Sequence, residues 1–179
     1  MTNLLNKIFS FSKNLDQKYS AFDFLKQDKS TALLFFAIED YSVNSEIRYV
    51  GGCIRKILNN ENIDDVDFAV NLKPSECINS LKKHNIKYYE TGIEHGTVTA
   101  IIGNNKFEIT SLRKDVVTDG RHAKVEFSNN WFEDASRRYF TINAIYSDID
   151  GNLYDPFNGK KDLELGKIEF IGDTQKRIK

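Results

Sequence analysis

Two aspartates, Asp65 and Asp67, flank one valine in the stretch "DDVDFAV". In an extended chain alternate side chains share a face, so these carboxylates are expected to point the same way, roughly 7 Å apart. Such a pair can ligate Mg²⁺, a hard ion that takes one or two protein carboxylates plus substrate phosphates. Alone, an Asp-x-Asp reads as a solvated strand face. The residues ahead of it change that reading. "YVGGCIRKIL" sets Gly51 and Gly52 between a strand and a helix start, where bare backbone N–H groups let an anion approach closely. Arg55, in the first turn of that helix, would add a charged fork to the same phosphates. Gly-Gly, Arg and Asp-x-Asp within this short stretch point to a site that holds a phosphate-rich ligand against metal ions.

Other residues are candidates to join it. Glu108, in "KFEITSL", is either a third carboxylate of the site or an exposed strand acid. Arg137 and Arg138 follow Glu133 and Asp134 on a helical stretch. Either they pair along the helix, Glu133 with Arg137 and Asp134 with Arg138, or one of them reaches a nucleotide. His95 reads as a strand-entry or turn residue rather than a catalytic base. His84, His95 and His122 are too dispersed for a zinc site.

The elements that must position these residues follow from periodicity and punctuation. "STALLFFAIEDYS" reads as a helix with Ser30 or Thr31 as N-cap. "IRYV" is a short strand, "CIRKILNN" a short helix, "DVDFAV" a strand, and "KPSECINSLKKHN" a helix with Pro74 in its first turn. Three β-rich pieces follow, "HGTVTAIIG", "NKFEITSL" and "AKVEFS", the first two joined at Gly103-Asn104-Asn105 as a hairpin turn. "TDGRHA" reads as a mobile loop. "NWFEDASRRYFTINAIYSD" begins helical, with a second element after Thr141. "DGNLYDPFNGKKDL" is turn-rich, and "KIEFIG" reads as a final strand. This order predicts an α+β fold, a mostly antiparallel mixed sheet with flanking helices.

With 179 residues the chain is most simply one domain with a real core. A net charge of −1 gives no general attraction to nucleic acid, so any RNA contact needs a local patch or a partner. Cys53 and Cys77 lack metal-ligand spacing, and a reduced, cytoplasmic chain explains both. The amphipathic N-terminus is punctuated by Asn, Lys and Asp, so neither a secretory signal nor a membrane span is expected there. The ending "GDTQKRIK" would cap a helix at Asp173 or Thr174 that is too short to stand alone. It reads as an interrupted helix, part of something longer.

"GGCIRKIL", "DDVDFAV", "TGIEHGTVTAII", "FEITSLRKDVVTDGRHAKVEF", "WFEDASRRYFTINA" and "DGNLYDPFNGKKDL" occur in one order. Together with "IEFIGDTQKRI" they resemble the class II CCA-adding enzyme and bacterial poly(A) polymerase family. The resemblance runs from about Arg48 to the end. It implies a DNA polymerase β-like nucleotidyltransferase head over residues 46–172, an N-terminal helical extension over 1–45, and the start of a neck helix over 173–179. The implied chemistry is transfer of CMP or AMP from CTP or ATP to a tRNA 3′ end, releasing pyrophosphate, by Mg²⁺-dependent two-metal catalysis.

By the same resemblance Asp65 and Asp67 are the metal pair. Gly52 and Arg55, with Gly51 beside them, bind the triphosphate. Arg138 and Asn143, with Arg137 adjacent, fall in the motif that handles ribose and phosphates. "DVVTDGRHAKVEF" matches a loop that adapts the site between CTP and ATP. Base choice and most tRNA affinity belong to a neck and body, so the resemblance implies a neck and body chain, separately encoded, as a partner. The head does not distinguish CCA addition from poly(A) addition.

Two positions depart from the family pattern, which has Asp where this chain has Lys56 and Tyr139. Both changes add positive charge to a phosphate-binding region, so anion attraction survives while arginine orientation suffers. Two functions follow as expectations: a catalytic head, or a non-catalytic nucleotide- or protein-binding remnant of it.

Overall fold

Strict alternation along two neighbouring strands divides this molecule into a core face and an open face. Val98, Ala100, Phe107 and Ile109 are buried, whereas Thr97, Thr99, Lys106 and Glu108 at alternate positions keep solvent contact. One-sided burial is what an antiparallel sheet with helices on a single face requires. The computed structural model describes residues 22–23, 25–116 and 124–173.

Helix α1 (Lys29–Glu39) leads into strand β1 (Ile47–Val50), helix α2 (Gly52–Leu58) and strand β2 (Asp67–Val70). Helix α3 (Pro74–Lys83) then precedes strands β3 (Lys87–Tyr89), β4 (Thr97–Ile102) and β5 (Asn105–Ser111). A hairpin of β6 (Arg113–Val116) and β7 (Lys124–Phe127) follows, then helix α4 (Trp131–Ser136), strands β8 (Tyr146–Ser147) and β9 (Leu153–Tyr154), and helix α5 (Gly159–Glu164). Seven strands form one sheet in the order β3-β4-β5-β2-β1-β8-β9, and β6-β7 form a second, two-stranded one. Among the described residues only β2 and β5 run parallel; every other pairing is antiparallel. The expected α+β fold, a mostly antiparallel mixed sheet with flanking helices, is the one observed.

The buried face packs against three helices. Phe35 and Ile38 of α1, Ile54 and Ile57 of α2 and Leu81 of α3 join Tyr49, Phe68, Val98 and Phe107 in one cluster. Each such side chain contributes about 1.5–3 kcal/mol on burial. Phe68 sits at the centre, its ring 5.2 Å from Tyr49 and 5.6 Å from Phe107. α3 starts as its Pro74 dictates, with proline at the first helical position. β4 and β5 join through a two-residue turn, Ile102 pairing Asn105 with a positive φ of 61° at Gly103.

Several expectations need correction. The N-cap of α1 is Asp28, whose carboxylate accepts from the Ser30 and Thr31 backbone N–H groups; a carboxylate reaches both orphan donors where a hydroxyl at Ser30 or Thr31 would serve one. "KIEFIG" forms no strand, only a bridge between Phe140 and Phe170. β2 begins at Asp67, so Asp65 and Val66 lie ahead of it. β3 and β6 carry too many charged and polar residues for an apolar-run reading to find them. The "TDGRHA" loop, residues 1–21 and the helix start expected at Thr174 lie outside the described residues. Among the described residues no helix is long and apolar enough to cross a membrane.

Candidate active site

Asp67 and Glu108 face one another across the parallel β2–β5 pairing of the sheet, directly in register. Their Cα positions are therefore neighbours on the open face, about one strand spacing, 4.8 Å, apart. Neither carboxylate forms an ion pair among the described residues, although the Arg138 charge acts on Asp67. Burial, followed by the negative charges of Glu108 and Asp65, raises the Asp67 carboxyl above its ordinary range, against an opposing pull from Arg138. Acids gathered at one place would attract a divalent cation. Among the described residues no set of three or more His, Cys, Asp or Glu is arranged to enclose a metal ion. A hard divalent cation here would therefore bind through one or two carboxylates and draw its other oxygens from water and a ligand, which suits Mg²⁺.

Asp65 is held differently from what strand alternation predicts. It precedes the first ladder pair of β2, so its position comes from the loop. Its backbone N–H donates to Asp64 Oδ1 at 3.0 Å, and that same oxygen pairs with Lys56 Nζ from α2. Lys56 thus neutralises Asp64 beside the acids, and it does not point into a basic phosphate pocket. The other departure, Tyr139, is exposed.

A cleft of about 620 Å³ opens beside Asp67 and Glu108 and is lined by Gly51, Gly52, Arg55, Arg137, Arg138 and Asn143. Gly51 ends β1 with φ 73° and ψ −124°, a conformation that side-chain-bearing residues avoid. A Cβ on Gly52 would meet nothing within 4 Å, which leaves this stretch of backbone open to the cleft. Arg55 donates to the Asn143 side-chain oxygen, and Arg138 Nη1 donates to the Asn143 carbonyl at 3.3 Å.

Asp134, buried at the end of the cleft wall, orients both arginines. Arg137 Nε donates to Asp134 Oδ1 at 2.8 Å, and Arg138 Nη2 donates to Oδ2 at 3.2 Å. Tyr146 donates its hydroxyl proton to Asp134 Oδ2 at 2.7 Å and accepts from Arg138 Nε at 3.0 Å. Burial pushes the Asp134 carboxyl up, but the Arg138 and Arg137 charges and the Tyr146 hydrogen bond outweigh it and hold it below the ordinary range. Of the expected helical pairs, Asp134 with Arg138 is present and Glu133 with Arg137 is not, and both arginines also line the cleft. The partner of Arg137 is Asp134, while Glu133 accepts from Ser128.

The structure brings Gly51, Gly52, Arg55, Asp67, Glu108, Arg137, Arg138 and Asn143 to one cleft, and sets Asp65 at its outer side with Asp67 and Glu108. His95 lies in a 3₁₀ turn, Ile93–His95, as a turn residue and also at the cleft rim. Tyr146 and Arg113 were not singled out from sequence. An i,i+4 acid–arginine pair followed by a β-strand tyrosine would have been the signal for Tyr146; Arg113 carried none.

Known proteins resemble this chain in sequence and fold. The family model for the poly(A) polymerase head domain matches residues 47–169. The chain is 43% identical over 136 residues to human "CCA tRNA nucleotidyltransferase 1, mitochondrial", covering 75% of this chain and 31% of that protein. To a CCA-adding enzyme of Lactobacillus johnsonii it is 39% identical over 150 residues, covering 83% and 37%. Among solved structures, the Bacillus stearothermophilus CCA-adding enzyme in complex with CTP superimposes with a TM-score of 0.72 at 29% identity, over 82% of this chain and 34% of that one. A tRNA nucleotidyltransferase complexed with a primer tRNA and an incoming ATP analog gives 0.55 at 30% identity, over 74% and 36%. The chain spans about a third of the length of the relatives it matches.

Proposed function

The chain belongs to the poly(A) polymerase head-domain family, and from that premise we propose that it is the catalytic head of a template-independent RNA nucleotidyltransferase. In this reading it moves CMP or AMP from CTP or ATP onto a tRNA 3′ end, together with a neck and body that supply base choice and tRNA grip. The supporting observation is the cleft in which Gly51, Gly52 and four arginines, Arg55, Arg113, Arg137 and Arg138, meet the Asp67–Glu108 pair. CTP, an ATP analog and primer tRNA occur in the solved relatives, which favours the same ligand classes here.

The roles divide by charge. The Gly51-Gly52 backbone lets a triphosphate approach, and Arg55 and Arg138 take its negative charge, each held in place through Asn143 and Asp134. Asp65 and Asp67 would hold Mg²⁺, with Glu108 as the third acid that draws it in. Bound there, Mg²⁺ would supply charge for the attacking and leaving oxygens of an in-line displacement. The protein's own part is positioning, with no covalent nucleophile.

The test is incorporation of labelled CTP and ATP into tRNA lacking its terminal CCA, with Mg²⁺, for this chain alone and with a neck and body chain. Incorporation that vanishes in Asp67→Asn is expected. No incorporation under either condition rejects an active head. The second reading, a non-catalytic nucleotide- or protein-binding remnant, draws on Lys56 being tied to Asp64 and on Tyr139 standing where the family has an acid. It predicts CTP binding without turnover. A poly(A)-adding parent would incorporate ATP alone.

A further inference from the structure

Two arginines of the cleft converge on one short element. The 3₁₀ turn Thr141–Asn143 carries Asn143, whose side-chain oxygen accepts from Arg55 and whose carbonyl accepts from Arg138. A three-residue turn has little internal bonding to hold its own place. Its neighbours must fix it.

None of residues 155–163, the stretch "DPFNGKKDL", lines the cleft. They build helix α5 against the back of that turn instead. Asp155 starts the helix by accepting from the Gly159 and Lys160 backbone N–H groups at 2.8 and 2.9 Å. Gly159 then lies against Thr141: a Cβ there would run into the Thr141 carbonyl, so glycine alone lets the two backbones come this close. Within the next turn, Asp162 Oδ2 accepts from Thr141 Oγ1 at 2.7 Å. Thr141 is buried, so its hydroxyl has little water to turn to if that acceptor is lost. Leu163 packs on the main core and anchors α5, which also touches α2, the helix that carries Arg55. One short helix thereby sets both ends of the Arg55–Asn143 bond.

We propose that Asp162 and Gly159 are positioning residues for triphosphate binding, holding the Thr141–Asn143 turn where Asn143 aims Arg55 and Arg138 into the cleft. The proposal rests on the nucleotidyltransferase reading above. Neither residue touches the ligand. With Asp162 gone, the turn loses its side-chain anchor and Asn143 shifts. The loss falls chiefly on Arg55, because Arg138 is held also by Asp134 and Tyr146. A guanidinium answers to phosphate charge. The defect therefore shows as a weaker preference for CTP over CMP, and not as a uniform loss of nucleotide affinity.

The experiment is calorimetric titration of the full chain with CTP and with CMP in the presence of Mg²⁺, alongside thermal melts. Asp162→Ala and Thr141→Val are expected to cut the preference for CTP over CMP by about tenfold, the worth of one hydrogen bond to a charged group. Asp162→Asn still accepts from Thr141 and retains it. In an Asn143→Ala background, Asp162→Ala is expected to add little, since both act through one side chain. In the ligand-free chain, the NMR signal of the Asn143 side-chain amide is expected to shift in Asp162→Ala and to stay in place in Asp162→Asn. Should Asp162→Ala melt too low to titrate, Thr141→Val, which keeps the side chain's shape, decides. An unchanged preference in the folded variants overturns the proposal, as does an equal loss of CTP and CMP affinity or full additivity with Asn143→Ala. A wild-type chain that takes up no CTP rejects the nucleotidyltransferase reading, while the Asn143 signal still decides whether Asp162 sets the turn.

Discussion

Asp67 and Glu108 oppose each other in register across the parallel β2–β5 pair, although forty residues of chain, 68–107, lie between them. Neither carboxylate forms an ion pair among the described residues, and each is held by backbone pairing that also aligns the core beneath it.

The first prediction concerns that repulsion. Asp67 has its carboxyl raised by burial, Glu108 and Asp65. A group whose folded pKa lies above its unfolded one destabilises the fold when ionised, and this loss disappears as pH falls below the ordinary aspartate value. Without divalent ions, Asp67→Asn is expected to melt a few degrees higher than wild type at pH 7, with the gap closing in acid. Mg²⁺ is expected to raise the melting temperature of the wild type more than that of the variant. Calorimetric scans at several pH values, with and without Mg²⁺, check both.

Asp134 behaves in the opposite sense. It is 1% exposed and bridges Arg137, Arg138 and Tyr146. Removing one partner of a buried ion pair leaves charge uncompensated, so Asp134→Asn is expected to cost about 3 kcal/mol. Its carboxyl is held below the ordinary range, so the stability it contributes is present above the unfolded value and lost as pH falls through the folded one. Urea unfolding should therefore show a steeper acid decline in wild type than in Asp134→Asn.

Gly51 and Gly52 separate fold from ligand. Gly51→Ala places a side chain at φ 73°, with its Cβ 3.8 Å from Arg138 Nη1, and is expected to destabilise by about 1–3 kcal/mol. Gly52→Ala has nothing within 4 Å and leaves stability nearly unchanged. Its methyl group stands where the polyphosphate would approach, so CTP affinity is expected to fall while the melting temperature holds. Parallel thermal melts and calorimetric titrations distinguish the two.

Lys56 and Tyr139 test the family's missing acids. The Lys56–Asp64 pair is solvent-exposed on the Asp64 side, so breaking it costs little stability. Lys56→Asp with Tyr139→Asp is expected to raise turnover in the incorporation assay. Turnover equal to wild type would refute the view that these two positions limit the chemistry.

Much of the site was legible because its signals are local. Gly51, Gly52 and Arg55 lie within one strand–turn–helix unit, and Asp134 with Arg138 is a helical i,i+4 pair. Glu108 stayed ambiguous in sequence because its role comes from pairing with Asp67 through a parallel register, which no local pattern records. Asp65 was read as a strand residue because alternation extends one pair too far: the ladder begins only where β5 supplies a partner. The N-cap of α1 was misplaced by two or three residues, since Asp28 competes with Ser30 and Thr31 as a cap and a carboxylate can serve two donors. Tyr89 lay in "KYYE", too short and polar to announce a strand.

One consequence follows from alternation along β5. Moving that strand by a single residue against β2 would bring Phe107 into solvent and turn Glu108 into the hydrocarbon interior, a swap the molecule cannot survive. Foldedness and the apposition of the two acids are thus inherited as a single trait. Any descendant of this chain that keeps this fold therefore keeps these two positions opposed, whatever side chains they carry.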